Sequence, residues 1–504
     1  MHHRKGILPF KTRVIILLQS VNRLGTVKAD KINITETVES ARKLLETDKK
    51  ISPALRAMFE MLLMIITLLA GKLGLNSQNS SKPPSTDLNR KKKTGSNKGN
   101  NKPGGQPGRV GKNLEPVDNP DTIIPIKLDK RRLPKGNYSE VGFESRQVID
   151  IEISRVVTEY RAQILEDATG KRYVAAFPKG VSRPIQYGQS IKAHAVYLSQ
   201  FQLIPYERVA DYFINEASIP ISVGSLFNFN QEAYDLLEGF DAIAKQKLIE
   251  AALVHADETG INVNGKRIWL HNASNERWTY FYPHQKRGSE AMDDIGILPH
   301  FRGTLIHDHW KPYYTYQHCQ HSLCNAHHIR ELQWVIDNHV QYTWAKSMQD
   351  LLLEINETVN KTEKNCLDNA TADAYRMRFC QIIRTGDIEM PLPPPEPNQS
   401  KKKGREKKSK ERNLMDRLRD FEKDVFRFMI EADVPFTNNR GENDIRMTKV
   451  QQKISGCFKS IDGAKIFCRV RSYLLSAQKH GVTPTDALKT LFDGKLPAVF
   501  FTEK

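Results

Sequence analysis

Cysteine is scarce in this sequence. Six among 504 residues, at positions 319, 324, 366, 380, 457 and 468, are too few for a disulfide framework. All lie in the C-terminal half, and the expectation is a reducing, cytoplasmic compartment. Long apolar runs are also missing. Val14–Leu18 is too short for a signal-peptide core, and no small-residue cleavage site follows it. The greasiest stretch, Ala54–Ala70, is interrupted by Arg56 and Glu60 and falls short of the ~20 apolar residues a span needs. No membrane partner is expected. Acidic residues are outnumbered, 58 against 76 Lys plus Arg, for a formal net charge of +18.

That surplus is unevenly placed. Residues 88–113 hold eight basic residues, six glycines and no acid, and residues 400–412 hold eight basic and two acidic residues. The two stretches carry +14 of the +18. Neither can bury enough apolar surface to offset the entropy of ordering it, so both read as flexible basic arms. Their charge points to a polyanion, nucleic acid above all. The rest of the chain is nearly neutral.

A length of 504 residues suggests about three to five structural units. Residues 1–50 read as a poorly defined leader. Residues 51–76 read as a helical, coiled-coil-like segment: Leu55, Phe59, Leu62, Ile66, Leu69 and Leu73 alternate spacings of four and three. A homo-oligomer follows from that seam; the alternative is a helix packed on its own core, since the flanking positions are apolar too. Residues 77–119 form the first basic linker. Residues 120–245 read as a small β/α N-terminal DNA-binding region, with strand-like runs at Val148–Val157 and Tyr173–Phe177. Tyr206–Ile214, a break at Asn215–Pro220 and Ser222–Tyr234 then outline a helix-turn-helix. The second of these helices carries no Lys or Arg, and two packed helices are the plainer reading. Residues 246–335 are α/β, with strands expected at 251–257, 267–273, 278–283 and 303–308. Residues 336–432 are a helical insertion containing the second basic connector, 391–412. Residues 433–504 return to helices, the last stopping at Gly481.

Two expected central strands end in aspartate, Asp257 and Asp308. The C-terminal edge of such strands is where open α/β sheets build their sites. Two carboxylates on neighbouring strands can share a divalent ion, and a third completes a two-metal site for phosphoryl transfer. The third candidate is Glu442. Glu442, Arg446, Lys449 and Lys453 share one helix face, a carboxylate followed by three cations. The alternative is a solvated face with a Glu–Arg pair. Asp444 points off that face.

The chain resembles a family on eight motifs in order: NSQNSSKPPSTD (76–87), KPGGQPG (102–108), RQVIDI (146–151), PIQYG (184–188), HADETG (255–260), HDHWKPY (307–313), CNAHHIREL (324–332) and TNNRGEND (437–444). Together they are similar to the transposases of the insertion sequence 66 family. The resemblance implies an RNase H-like mixed sheet interrupted by a helical insertion, and a DDE triad of Asp257, Asp308 and Glu442. It implies two Mg²⁺ ions, for which Mn²⁺ can substitute. The implied chemistry is hydrolysis at transposon ends and strand transfer into target DNA. Implied partners are the terminal inverted repeats, target DNA and accessory proteins of the element. Arg446, Lys449, Lys453, Asn438 and Asn439 are the expected DNA contacts.

Cys324 and His327 form a Cys-x-x-His pair that such transposases carry between the second aspartate and the glutamate. Its chemical reading is zinc ligation, with His318, Cys319 and His321 near enough in sequence to join. The alternative is a buried strand-end cysteine beside a helix-starting histidine. His307 and His309 flank Asp308 and are expected on the opposite sheet face. One departure stands out: family members often carry a cysteine zinc module after the GGQPG linker, and residues 114–180 contain no cysteine. The module is expected to be degenerate, which keeps open a second reading of the chain as a catalytically inactive DNA-binding relative.

Overall fold

The computed structural model describes residues 34–47, 51–73, 75–76, 78–80, 114–391 and 408–502. Both basic arms lie largely outside the described residues. By its contacts the chain divides into two units.

The first unit comprises residues 1–92, 328–350 and 379–415. Its described part is helical, beginning with α1 (Ile34–Thr47) and α2 (Pro53–Leu73). The expected coiled-coil segment is therefore a helix. Leu55, Phe59, Leu62, Ile66 and Leu69 are all exposed on it, as are Met58, Met61 and Met64. Among the described residues this helix leaves much of its apolar face exposed. Among the described residues no helix is long and apolar enough to cross a membrane.

The second unit comprises residues 93–327, 351–378 and 416–504. Residues 114–188 are almost wholly exposed, and their only strands are the three-residue pair β1 (Ile164–Glu166) and β2 (Arg172–Val174). The strand expected at 148–157 is not formed. Its alternating pattern finds no partner backbone, and Val148, Ile151 and Val156 stay exposed. Four helices follow: α3 (Gln189–Val196), α4 (Tyr206–Ala217), α5 (Val223–Leu236) and α6 (Glu238–Ile249). The α4–α5 pair is the one expected from the sequence, with Ser222 capping α5 by accepting from the Ser225 N–H. Leu226, Phe229 and Ala233 of α5 and Val209 and Phe213 of α4 are buried in the main core.

The sheet that positions the site has five strands in the order β5-β4-β3-β6-β7. They are β3 (Leu253–Val263), β4 (Lys266–Ser274), β5 (Thr279–His284), β6 (Thr304–His307) and β7 (Gln320–Leu323). β3, β4 and β5 form an antiparallel meander, whereas β6 and β7 run parallel to β3. The β3–β4 turn is Asn264-Gly265, with φ of 46° and 79°. Two positive φ values make a tight hairpin turn matching the strand twist. β6 enters directly against the backbone before β3: a Cβ on Gly303 would sit 2.3 Å from the Ala252 carbonyl oxygen. Central β3 is buried on both faces, as a strand covered on each side must be. Helix α7 (Ser289–Ile295) lies between β5 and β6 in the chain, and α8 (Asn325–Asn338) follows β7.

Helices α9 (Thr343–Lys361), α10 (Asn369–Glu389), α11 (Lys410–Asp420) and α12 (Glu422–Val425) occupy the expected insertion. Then come α13 (Asn439–Ser455), α14 (Ile461–Lys479) and α15 (Pro484–Phe492). Ile445 of α13 and Phe467 and Cys468 of α14 pack with Ile261, Val263 and Phe281 in one cluster on the sheet. Gly481 ends α14 with φ of 80°, the left-handed stop its sequence position implies.

Candidate active site

Asp257 and Asp308 meet through strand register. His255 of β3 is paired with Ile306 of β6, and the strands are parallel. Two residues further on, Asp257 stands beside Asp308, which lies one residue past the end of β6. Side chains two apart share a face, so both carboxylates leave the same side of the sheet. Each accepts from a nearby backbone N–H: Asp257 Oδ1 from Glu258 within β3 at 2.9 Å, and Asp308 Oδ1 from Trp310 just past β6 at 3.0 Å.

Glu442 is delivered by the first turn of α13, which polar contacts clamp to the sheet. Asn272, paired with Asp257 across β3–β4, donates to the Gly441 carbonyl at 3.1 Å. The Asn438 side chain donates to the Ala256 carbonyl at 2.8 Å, and its Oδ1 lies 2.8 Å from His255 Nδ1. At the end of β7, the Cys324 N–H donates to the His307 carbonyl and the Asn325 N–H to the Phe436 carbonyl, each at 3.0 Å. The middle of β3, the ends of β6 and β7 and the start of α13 thus converge.

The electrostatics agree with this placement. Asp257 is held well above the ordinary carboxylate range, first by burial and then by the charges of Glu258, Asp308 and Glu442. Against these stands the Glu258 backbone N–H. Of these neighbours Asp308 and Glu442, with Asp257, offer only oxygen donors, the chemistry a hard divalent cation takes. The three acids singled out by the sequence therefore come together.

Cys324 and His327 join them at Glu442. Cys324 Sγ lies 3.8 Å and His327 Nδ1 3.9 Å from Glu442 Oε1. Cys324 is buried immediately past β7, and His327 sits in the first turn of α8. Burial pushes the Cys324 thiol up to about 11. The other expected partners of the pair bond elsewhere. His321 Nδ1 faces His307 Nε2 at 3.0 Å, Cys319 Sγ donates to the Tyr316 carbonyl, and His318 contacts the Leu298 carbonyl. His307 is fully buried and packs on Tyr313, whereas His309 packs edge-on against Phe421.

The expected DNA contacts divide. Arg446, Lys449, Lys453 and Asn439 are exposed. Lys449 Nζ donates to the Gly260 carbonyl, so part of its donor capacity is spent within the protein. Asn438 is corrected: it is 2 % exposed, its side chain is committed to His255 and Ala256, and it does not cap α13. Asp444 turns away as its spacing implied, pairing with the half-buried-to-buried Lys479 at 2.8 Å.

Glu258 escaped the sequence reading. Strand alternation puts it on the face opposite Asp257, where its side chain is 1 % exposed. Tyr313 donates to its Oε2 at 2.6 Å and Arg287 Nε to its Oε1 at 2.8 Å. Burial and the Asp308 charge raise its pKa, with those two donors opposing. The Arg287 guanidinium is stacked against Trp269 and Trp310, 4.8 Å and 4.1 Å from the ring centres. The available signal was adjacency: an acid directly after Asp257, and a tyrosine in the turn after Asp308.

Comparison with known proteins matches residues 28–115 to a family of unknown function, DUF6444. No curated protein matches the chain. Residues 184–466, which contain Asp257, Asp308, Cys324, His327 and Glu442, match the profile of the transposase IS66 family. With more than half of its length in that match, and with the acids of its sheet edge inside it, the chain belongs to the transposase IS66 family.

Proposed function

We propose that this transposase is a DDE enzyme that cleaves DNA at the ends of its element and joins the freed 3′ end to target DNA. The observation that carries the reading is the placement of Asp257, Asp308 and Glu442: strand register sets the aspartates side by side, and Asn272 and Asn438 hold the turn bearing Glu442 against β3 and β4. A meander of three antiparallel strands followed by two parallel ones supports an RNase H-like core. Asp257, Asp308 and Glu442 are the residues that would hold two Mg²⁺ ions. Such ions supply Lewis acidity at the phosphate and an activated nucleophile.

The chain's own residues set the geometry. Strand register fixes the two aspartates relative to each other, and Asn438 and Asn272 fix the turn bearing Glu442. The exposed Arg446 and Lys453, with Asn439, lie along the helix leading away from the carboxylates, suited to neutralising phosphates on either side of the scissile bond. Water attacks first and frees a 3′-hydroxyl at the element end. That hydroxyl then attacks a target phosphodiester, and no protein–DNA covalent bond forms. The exposed apolar seam of α2 suits a second copy of the chain, so the working species is proposed to be a homo-oligomer on double-stranded DNA.

The test is cleavage of labelled element ends in Mg²⁺ by purified protein. D257N, D308N and E442Q are each expected to lose cleavage and strand transfer while retaining end binding. Cleavage persisting in D257N would overturn the reading.

A further inference from the structure

We propose that Cys324 Sγ, His327 Nδ1 and Glu442 Oε1 form a site for one thiophilic divalent ion of the zinc class, sharing the glutamate with the aspartate pair. Sequence spacing alone offered Cys324 and His327 and looked for partners nearby in the chain. The third ligand is instead 118 residues beyond Cys324.

The geometry is close to a coordination sphere. The three ligand atoms all lie within 4.8 Å of one another. In a tetrahedral zinc site, sulfur–oxygen and nitrogen–oxygen separations are about 3.3–3.5 Å. Here they are 3.8 Å and 3.9 Å, a few tenths of an ångström longer, and the Cys324–His327 separation lies within 4.8 Å. The Asn438 N–H donates to Cys324 Sγ at 3.1 Å. A hydrogen bond of that kind orients a thiolate and stabilises its charge. Cys324 is 1 % exposed, whereas the His327 and Glu442 side chains are 29 % and 35 % exposed. The ion therefore enters from the solvent side, where water takes the fourth position.

The ligand chemistry separates this site from its neighbour. Asp257 and Asp308 offer only oxygen and suit a hard ion; thiolate and imidazole favour a softer one. Both short contacts run to Glu442 Oε1. A zinc-class ion would then hold the α13 glutamate in place at the sheet edge. That consequence rests on the proposed role of Glu442; the site itself does not.

The test uses the purified full chain with Co²⁺ as a spectroscopic probe and zinc as competitor. The expected result is one equivalent of bound Co²⁺ showing sulfur-to-cobalt charge-transfer absorption, displaced by zinc. C324S should abolish the band, H327Q and E442Q should each weaken binding by about tenfold or more, and D257N should bind as the wild type does. Absence of the band in the wild type, or its survival in C324S, overturns the proposal. If C324S fails to fold by far-UV circular dichroism, H327Q decides: unchanged affinity there overturns it. Failure of the DDE reading shows up separately, as cleavage surviving in D257N, and leaves the Co²⁺ result untouched.

Discussion

Asn438 Oδ1 lies 2.8 Å from His255 Nδ1, joining residues 183 apart in the chain and two residues upstream of Asp257. The oxygen can only accept, so His255 Nδ1 carries the proton. The same side chain donates to the Ala256 carbonyl, and its backbone N–H donates to Cys324 Sγ. One buried residue thus ties the glutamate helix to the strand of the first aspartate. N438A leaves the His255 and Ala256 groups buried and unmatched, and is expected to cost roughly 1–3 kcal/mol in urea denaturation. Cleavage should fall more than end binding, because the lost contact aligns Glu442 and does not touch DNA.

Acid should weaken the fold through the same histidine. Burial lowers His255 from 6.5 to about 4. His271 is likewise lowered to about 4, again by burial. In each case the unfolded chain takes up the proton first as pH falls. Stability is therefore fully present above about 6.5 and declines as pH drops from 6.5 toward about 4. Denaturation midpoints across that interval check the sign. The raised pKa of Asp257 works the other way, so the decline should be steeper in D257N.

D257N should also stabilise the metal-free protein at neutral pH. Asp257 is driven toward its protonated form by burial and by neighbouring acids, so its ionised state is a net cost to the fold. Asn keeps the shape and removes the charge. A rise in Tm of roughly 2–4 °C is expected, the equivalent of about 1 kcal/mol. Mg²⁺ should reverse the order. Saturating the wild type at about 100 times Kd is worth roughly 2.7 kcal/mol, and D257N should gain little. Calorimetry with and without Mg²⁺ reads both effects without any DNA present.

The stripe on α13 predicts a graded salt dependence. R446A removes an exposed cation and should lower the slope of log K against log salt by about 1, alike on element ends and on unrelated DNA. K449A should lower it less. Its amine already donates to the Gly260 carbonyl, and burial together with Arg267 lowers its pKa. Equal slopes for R446A and K449A would mean that Lys449 swings free on DNA.

Much of this site was readable because strand and helix periodicities are local. Asp257 and Asp308 each end an apolar run, and Glu442 leads a stripe at helical spacing, so all three were visible before any contact was known. β3 nevertheless runs six residues past Asp257, because Asn264-Gly265 makes the turn and not the polar stretch after the aspartate. β7 was missed: at four residues with three polar positions, it owes its existence to pairing with β6. The opposite error occurred at 148–157, where good alternation has no neighbouring strand to bond. Asn438 was misread for a related reason. An asparagine before a helix resembles a cap or a DNA donor, and only the long-range fold reveals His255 waiting for it. The same holds for Glu442 beside Cys324, a contact no sequence spacing encodes.

Tyr313 offers a test of how the second aspartate is held. It lies in the turn Lys311–Thr315 that follows Asp308, is 2 % exposed, and donates to Glu258 Oε2 at 2.6 Å. Glu258 sits next to Asp257 on β3, so this bond links the two aspartate-bearing segments from behind the site. Y313F keeps the ring and leaves a buried carboxylate oxygen unmatched, at an expected cost of roughly 1–3 kcal/mol in denaturation. Arg287 still satisfies the other oxygen, so the fold should survive. Freed from its anchor, the turn should let Asp308 drift, and a loss of about 1.4 kcal/mol in transition-state stabilisation would slow cleavage about tenfold. End binding should not change, since Tyr313 is buried away from DNA. A variant that loses stability but cleaves at the wild-type rate would show that the Trp310 N–H alone suffices to hold Asp308.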